Sequence, residues 1–478
     1  MKKAFWLVLI AITVLRLVLI ARIGPTNDEA YYWLWSRHPA LSYYDHPPMV
    51  ALVISVFTSL FGTSAFSLHL SGLFFMTLFA VLVYLWAREM FPSQGVEWGV
   101  LSLMLAPIFF LGSLVISPDA VMSVFWVAAS WAVYRALKTR LSYYWYLSGI
   151  AVGLGVLSKY VMFLVAAQVF LYLIFSERDR FWLKRKEPYA FMLIAILMFL
   201  PVLIWNASHD WASFSFQAVE RHSVHFSALR FLRYILVQML HISPVAWVLA
   251  MVSFYFLWRK GFFEKKWEMK YLFFISFPVV MFFSSLSFFS TVLSHWPAFG
   301  YAGGLMALPA AVKSDRRCGF LLRLNALLCL AIAGLYMSHI FYPVIDMKKD
   351  PTDDLFGWDA VAKEVKTALA ALNDDTFLLC ERYETGSQLA FSMRGEVYVL
   401  SPLRTTGFRF WQDEGSLVGR DALYVTHSRY FVPPSNIYRF RKCTLLSEVP
   451  VYRRGREVRT FYIYVCEGFR GLKKQNNS

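Results

Sequence analysis

Cysteine is scarce in this sequence. The 478 residues include five, Cys318, Cys329, Cys380, Cys443 and Cys466. None stands at metal-ligand spacing, which argues against a zinc finger or ribbon. Cys443 and Cys466 can pair only if the C-terminal part lies in an oxidising compartment. Internal repeats and low-complexity segments are also absent. The apolar run from Ala4 to Ile23, behind Lys2 and Lys3, is followed by no small-residue cleavage site. It is too long for a signal peptide and contains Arg16, so the expectation is a retained first membrane helix.

What the chain has in excess is apolar surface. Hydrophobic residues make up 58%, aromatic residues 18%, and the mean hydropathy is +0.49. A soluble domain averages about 45–50% apolar residues. The excess is gathered into runs of roughly 20 residues, the length that a bilayer requires. Expected spans are 4–23, 67–87, 97–115, 118–136, 145–157, 160–175, 189–205, 231–257, 271–290, 296–312 and 319–341, about eleven on the length criterion. The shorter run 49–61 suits a re-entrant or interfacial helix. The expected division is a membrane domain over 1–345 and a soluble domain over 346–478.

The net charge of +16 sits largely in short loops between apolar runs. That placement orients a membrane protein and does not describe a nucleic-acid surface. One set of loops holds Lys2, Lys3, Arg88, Arg135, Lys138, Arg140, Arg178 to Lys186, Arg259 to Lys270 and Lys313 to Arg323. The alternating set holds Arg22, Arg37, Lys159, Arg221, Arg230 and Arg233 and is much poorer. The richer set is read as cytoplasmic. The N-terminus is then inside, and the C-terminal domain outside the inner (plasma) membrane. In 346–478, helical spacing over Asp359 to Leu372, short strands at 376–380, 396–400 and 422–425, and a hairpin over 444–465 turning at Arg454-Gly455 predict a small α/β domain.

The acidic and histidine clusters fall in the poorer, outer loops, although only cations were used to orient the chain. Asn27 can cap a helix, which places Asp28 and Glu29 in its first turn, where acidic residues are favoured for structural reasons alone. Two adjacent carboxylates followed by Tyr44-Asp45-His46-Pro47-Pro48 also suit a site, and the double proline launches a helix at Met49. Ser117-Pro118-Asp119 reads as N-cap, N1 and N2. It is an ordinary helix start, but it leaves a carboxylate beside hydrocarbon. Lys159 either snorkels or holds a phosphate. Arg221, His222, His225, Arg230 and Arg233 form a basic cluster that suits a leaving phosphate, and His295 precedes Trp296-Pro297. Sugar transfer from a lipid phosphate needs a base for the incoming hydroxyl and cations for the departing phosphate. A single base carboxylate implies inversion.

In this order, Asn27 to Trp33, Tyr44 to Pro48, Ser117 to Ala120, Leu157 to Tyr160, Trp205 to Trp211 and Trp296 to Ala298 resemble the polyprenyl-phosphate-dependent glycosyltransferases of C-type fold. The resemblance is to the protein mannosyltransferase and aminoarabinose transferase superfamily, on its dolichyl-phosphate-mannose-protein-mannosyltransferase-like bacterial branch. It covers nearly the whole membrane portion. It implies a polytopic helical membrane protein with a small C-terminal α/β extracytoplasmic domain. The implied donor is a polyprenyl-phosphate sugar, and the implied acceptor is lipid A, a glycan or a protein hydroxyl. Asp28, Glu29 and Asp119 match the catalytic acidic positions. Tyr44, Asp45, His46, Lys159, Arg221, His222 and His295 are the expected substrate contacts. A divalent metal is an open question, since family members differ. Aminoarabinose transferases carry Glu-Lys-Pro where this chain has Asp45-His46-Pro47, and an arginine where it has Tyr31. A lipid-linked sugar transporter or flippase, or a non-catalytic envelope assembly subunit, are the rival classes. Transporters place charges at the bilayer midplane between repeated halves, which this sequence does not show.

Overall fold

The computed structural model describes residues 2–92, 95–217, 225–311, 316–345, 347, 350–402 and 404–473. The chain forms two compact units. One comprises Met1–Ala21, His46–Val53 and His69–Tyr336, and the other Arg22–Asp45, Ile54–Leu68 and Met337–Ser478. The division at 345/346 expected from the sequence is therefore drawn differently. The segment Arg22–Asp45 clusters with the C-terminal region, which sequence distance alone could not indicate.

The first unit is helical. Among the described residues of the chain, five helices are long and apolar enough to cross a membrane: Ala65–Met90, Pro118–Thr139, Glu187–Ala207, Trp267–Leu286 and Gly319–Phe341. The pair Ala228–Ile242 and Pro244–Phe262 makes a sixth if counted as one span, but it bends by 102°. The expected single span 231–257 is corrected to this broken pair. Pro244 bars helix continuation, and Ser243 takes φ 83° between the two halves. The expected span 97–115 is also broken, into Val96–Leu105 and Pro107–Gly112. A helix end leaves carbonyls without intrahelical partners. Here the Met104 carbonyl accepts from the buried Arg16 guanidinium at 2.8 Å, which gives the charge in the first apolar helix a partner. Met49–Phe61 is a 13-residue helix, too short to span.

Small residues let the helices approach closely. A Cβ on Gly72 would lie 2.2 Å from the Val115 carbonyl oxygen, and one on Gly99 would lie 2.3 Å from that of Leu305. Such contacts are how membrane helices pack in the absence of a hydrophobic drive between them.

In the second unit the expected α/β pattern holds. A helix, Trp358–Ala370, precedes five strands: β1 (Phe377–Cys380), β2 (Tyr398–Val399), β3 (Ala422–His427), β4 (Lys442–Arg453) and β5 (Arg456–Glu467). Their order is β2-β1-β3-β5-β4. β1 is parallel to β2 and β3, while β5 is antiparallel to β3 and β4. Arg454 and Gly455 have φ 50° and 80°, the handedness that a two-residue hairpin turn needs. Cys443 stands opposite Cys466 in the β4–β5 ladder, and the two are disulfide-bonded. The helix Tyr383–Met393 had no expected counterpart.

Gly72→Ala is expected to lower the unfolding midpoint of the detergent-purified protein by an amount equivalent to about 1–3 kcal/mol, the usual range for overpacking. Thermal denaturation reads it, and an unchanged midpoint would refute the close approach.

Candidate active site

Helix capping decides which of the two adjacent carboxylates is available. The helix Asn27–Arg37 is capped by Thr26, not by Asn27 as the sequence suggested. The Thr26 hydroxyl accepts from the Glu29 backbone N–H at 3.2 Å. The Glu29 carboxylate in turn accepts from the Thr26 N–H and hydroxyl, each at 3.0 Å. This is a complete capping box, and Glu29 is buried within it. Glu29, expected to be catalytic, is thereby committed to the helix end. Asn27 instead accepts from the Gln388 amide at 3.1 Å, and the same amide reaches the Pro25 carbonyl at 2.8 Å.

Asp28 is left with its side chain exposed. Its Oδ1 accepts from the Tyr383 hydroxyl at 3.3 Å. Desolvation by the surrounding protein, and then the charges of Asp45 and Glu384, raise its pKa above the ordinary carboxylate range. The Tyr383 hydrogen bond and the Arg404 charge oppose that rise. Asp45 is buried and accepts from Arg404 at 2.6 Å and from the Tyr31 hydroxyl at 3.0 Å. Tyr31 accepts from the Gly407 N–H at 2.6 Å. The Arg404 guanidinium stands 5.0 Å from the Tyr383 ring centre. Burial disfavours its charge, but Asp45 together with Tyr383 and Tyr31 more than offsets this and raises the Arg404 pKa. Tyr44 stacks on Phe410 with ring centres 5.9 Å apart. Tyr383 and Arg404 are the members of this cluster that the sequence did not mark. Each lies more than three hundred positions beyond its partner carboxylate, and no local motif announces either.

A second cluster lies in the helical unit. Ser117 caps the helix Pro118–Thr139 by accepting from the Ala120 N–H at 3.2 Å, with Pro118 in the first turn, as expected. The Asp119 carboxylate receives the Lys159 ammonium on both oxygens, at 2.8 and 2.7 Å. Lys159 is nearly buried, so it does not snorkel. It sits in an extended residue between the helix Tyr143–Val156 and the turn at Tyr160. His295 Nε2 is 3.6 Å from the same carboxylate, and His46 acts on it electrostatically. Four expected site residues thus come together: His46, Asp119, Lys159 and His295. Arg221 and His222 lie outside the described residues. Among the described residues no group of three or more His, Cys, Asp or Glu side chains is placed to hold a metal ion.

Comparison with known proteins follows the same lines. The family described as dolichyl-phosphate-mannose-protein mannosyltransferase matches residues 45–205. The lipid A galacturonosyltransferase RgtD of Rhizobium johnstonii is 28% identical over 289 residues, which is 58% of this chain and 58% of that protein. The match therefore spans little more than half of that relative's length. Among solved structures, ArnT from Cupriavidus metallidurans bound to undecaprenyl phosphate superposes with a TM-score of 0.68, at 14% identity over 97% of both chains. The Archaeoglobus fulgidus oligosaccharyltransferase in its apo form gives 0.51 at 13% identity, over 83% of this chain and 65% of that one.

Tyr383→Phe is expected to remove an interaction that lowers the Asp28 pKa. The acid limb of any Asp28-dependent activity should then move to higher pH, and Arg404→Gln should move it the same way. A base works only when ionised, so activity falls as pH drops through its pKa. A pH–rate profile that does not move in either variant would contradict this coupling. The chain has the glycosyltransferase C-type fold, and its resemblance to the dolichyl-phosphate-mannose-protein mannosyltransferase family is borne out over residues 45–205.

Proposed function

We propose that this protein transfers a sugar from a polyprenyl-phosphate carrier to an acceptor hydroxyl, inverting the anomeric carbon. The observation that carries the reading is the division of labour between Asp28 and Glu29. One carboxylate closes a helix. The other stays outside that network, with a pKa raised by desolvation and by the Asp45 charge, poised to take a proton.

In this reading Asp28 accepts the proton of the acceptor hydroxyl as its oxygen bonds to the anomeric carbon. The bond from that carbon to the phosphate oxygen breaks, and the polyprenyl phosphate departs with the electron pair. Asp45, held by Arg404 and Tyr31, sets the field around Asp28. Lys159, fixed by Asp119 with His295 and His46 beside it, is assigned to the phosphate of the donor. Arg221 and His222 keep the same assignment from the sequence alone. One carboxylate among a lysine and two histidines leaves a cationic balance when the histidines are protonated, which suits a developing phosphate charge. The undecaprenyl phosphate bound to ArnT supports a lipid-phosphate donor. The likeness to RgtD, a lipid A galacturonosyltransferase, supports lipid A as the acceptor class, with another glycan or a protein hydroxyl as the wider set.

We place the C-terminal region, with Asp28, outside the inner membrane. The loop charges and the Cys443–Cys466 disulfide both favour this, since structural disulfides persist in oxidising compartments. A cysteine introduced as Asp374→Cys, in an exposed turn, should react with a membrane-impermeant maleimide in intact spheroplasts. Labelling only after lysis would reverse the orientation.

Asp28→Asn is expected to reduce transfer of labelled sugar from undecaprenyl phosphate by about 100-fold or more, the usual contribution of a general base. Glu29→Gln, which preserves a capping box, should retain most activity. Near-wild-type transfer by Asp28→Asn would remove the mechanism. Thr26→Ala should cost about 1 kcal/mol of stability, as for a lost N-cap.

A further inference from the structure

At the opposite end of the helix Pro118–Thr139 from Asp119, the helical unit holds a cavity that the transfer reaction does not use. Its volume is ≈380 Å3, and its walls include Glu177, Arg178, Phe262, Lys265, Trp267 and Lys270. Arg178 reaches the Leu137 carbonyl at 3.4 Å. Leu137 is 18 helical residues beyond Asp119, so the two sites are about 27 Å apart at 1.5 Å per residue. That distance is close to the thickness of a bilayer's hydrocarbon core.

Three cations face one carboxylate in this cavity. The neighbouring Asp179 redresses the balance only in part. It is buried and pairs with Arg178 at 3.6 Å, but it is shared with Arg140 at 2.6 Å and the Tyr172 hydroxyl at 2.5 Å. Lys265 and Lys270 thus remain against Glu177. Arg178 stands over Trp267, 4.1 Å from the ring centre. Lys270 donates to the Phe175 carbonyl at 2.7 Å. Lys265 is exposed and makes no side-chain hydrogen bond or ion pair among the described residues. Its backbone has φ 52°, a left-handed conformation that lysine adopts only at a cost. Glu177 attracts the Lys270 ammonium, while Arg180 and Lys265 repel it. Like charges held together around a cavity call for an anion. Phe175 and Phe263, beside this group in the chain, are exposed, so an apolar surface adjoins the charges.

We propose that this cavity binds the phosphodiester headgroup of an anionic phospholipid, with the acyl chains on the flanking aromatic surface. The shared chemistry is a phosphate anion. The adjoining exposed aromatics favour a lipid over a free phosphate, since a free ion has no use for them. Basic pockets at the cytoplasmic ends of membrane helices commonly serve this purpose.

The test uses the full-length protein in detergent, titrated with phosphatidylglycerol or phosphatidylcholine, with bound lipid counted by native mass spectrometry. Phosphatidylglycerol should bind in preference. Its affinity should fall about fivefold in Lys265→Gln, and by a similar factor again when Arg178→Gln is added, the scale expected for one cation near a lipid surface. Phosphatidylcholine binding should not change. Equal phosphatidylglycerol affinity in wild type and Lys265→Gln would overturn the proposal. Displacement of phosphatidylglycerol by millimolar inorganic phosphate would also overturn it, in favour of a free-anion site. The Lys265 side chain holds no other part of the described structure in place, so the single variant decides the matter if the double variant fails to fold.

Discussion

The polar structure around Asp28 hangs on the capping box at the start of the Asn27–Arg37 helix. A helix N-terminus has four N–H groups without intrahelical acceptors. Thr26 satisfies one of them, and Glu29 reaches back to the Thr26 N–H and hydroxyl. That geometry buries one carboxylate. Because adjacent helical positions point in different directions, it leaves the next one, Asp28, outside the network. The same interaction holds Asp28 at a helix N-terminus, where the dipole favours an anion. The nearby carboxylates of Asp45 and Glu384 disfavour it.

The polar groups around Asp28 form a connected set. Tyr383 donates to Asp28, Arg404 joins Asp45 and lies over the Tyr383 ring, and Tyr31 ties Asp45 to the backbone at Gly407. Every member that touches Asp45 is paired, as a buried charge requires. The exposed member is the one assigned to chemistry. The Asp119–Lys159 pair follows the same rule inside the helical unit. A lysine between apolar runs is tolerated there because a carboxylate receives it on both oxygens.

Membrane-facing structure follows its own economy of hydrogen bonds. The helix breaks at Pro107 and Ser243-Pro244 free backbone groups that lipid cannot satisfy. Arg16 accounts for one, at the Met104 carbonyl. Ser243, at the other break, donates its hydroxyl to Asn325 at 2.8 Å. Arg16 and Asn325, polar residues within apolar runs, are thus tied to the points where the helices bend.

Local sequence was enough to establish the membrane class, the α/β character of the C-terminal region, the β4–β5 hairpin with its Arg454-Gly455 turn, and the start of the Pro118–Thr139 helix. These follow from run length, alternation and local turn or cap chemistry, all of which act over a few neighbouring residues. Asp28, Asp45, Asp119 and Lys159 could be marked in advance, because charge is conspicuous in an apolar chain. The breaks in the spans expected at 97–115 and 231–257 were hidden, because hydropathy counts apolar residues through a proline, whereas the helix must stop there for want of an N–H. The Thr26-x-x-Glu29 capping box is itself a local pattern, which the reading of Asn27 as the cap passes over. Three-dimensional packing was needed to show that Lys159 belongs to Asp119, and that Tyr383 and Arg404 attend Asp28 and Asp45. Those choices depend on which distant segments meet, and pairing across tens or hundreds of residues leaves no periodic or local trace.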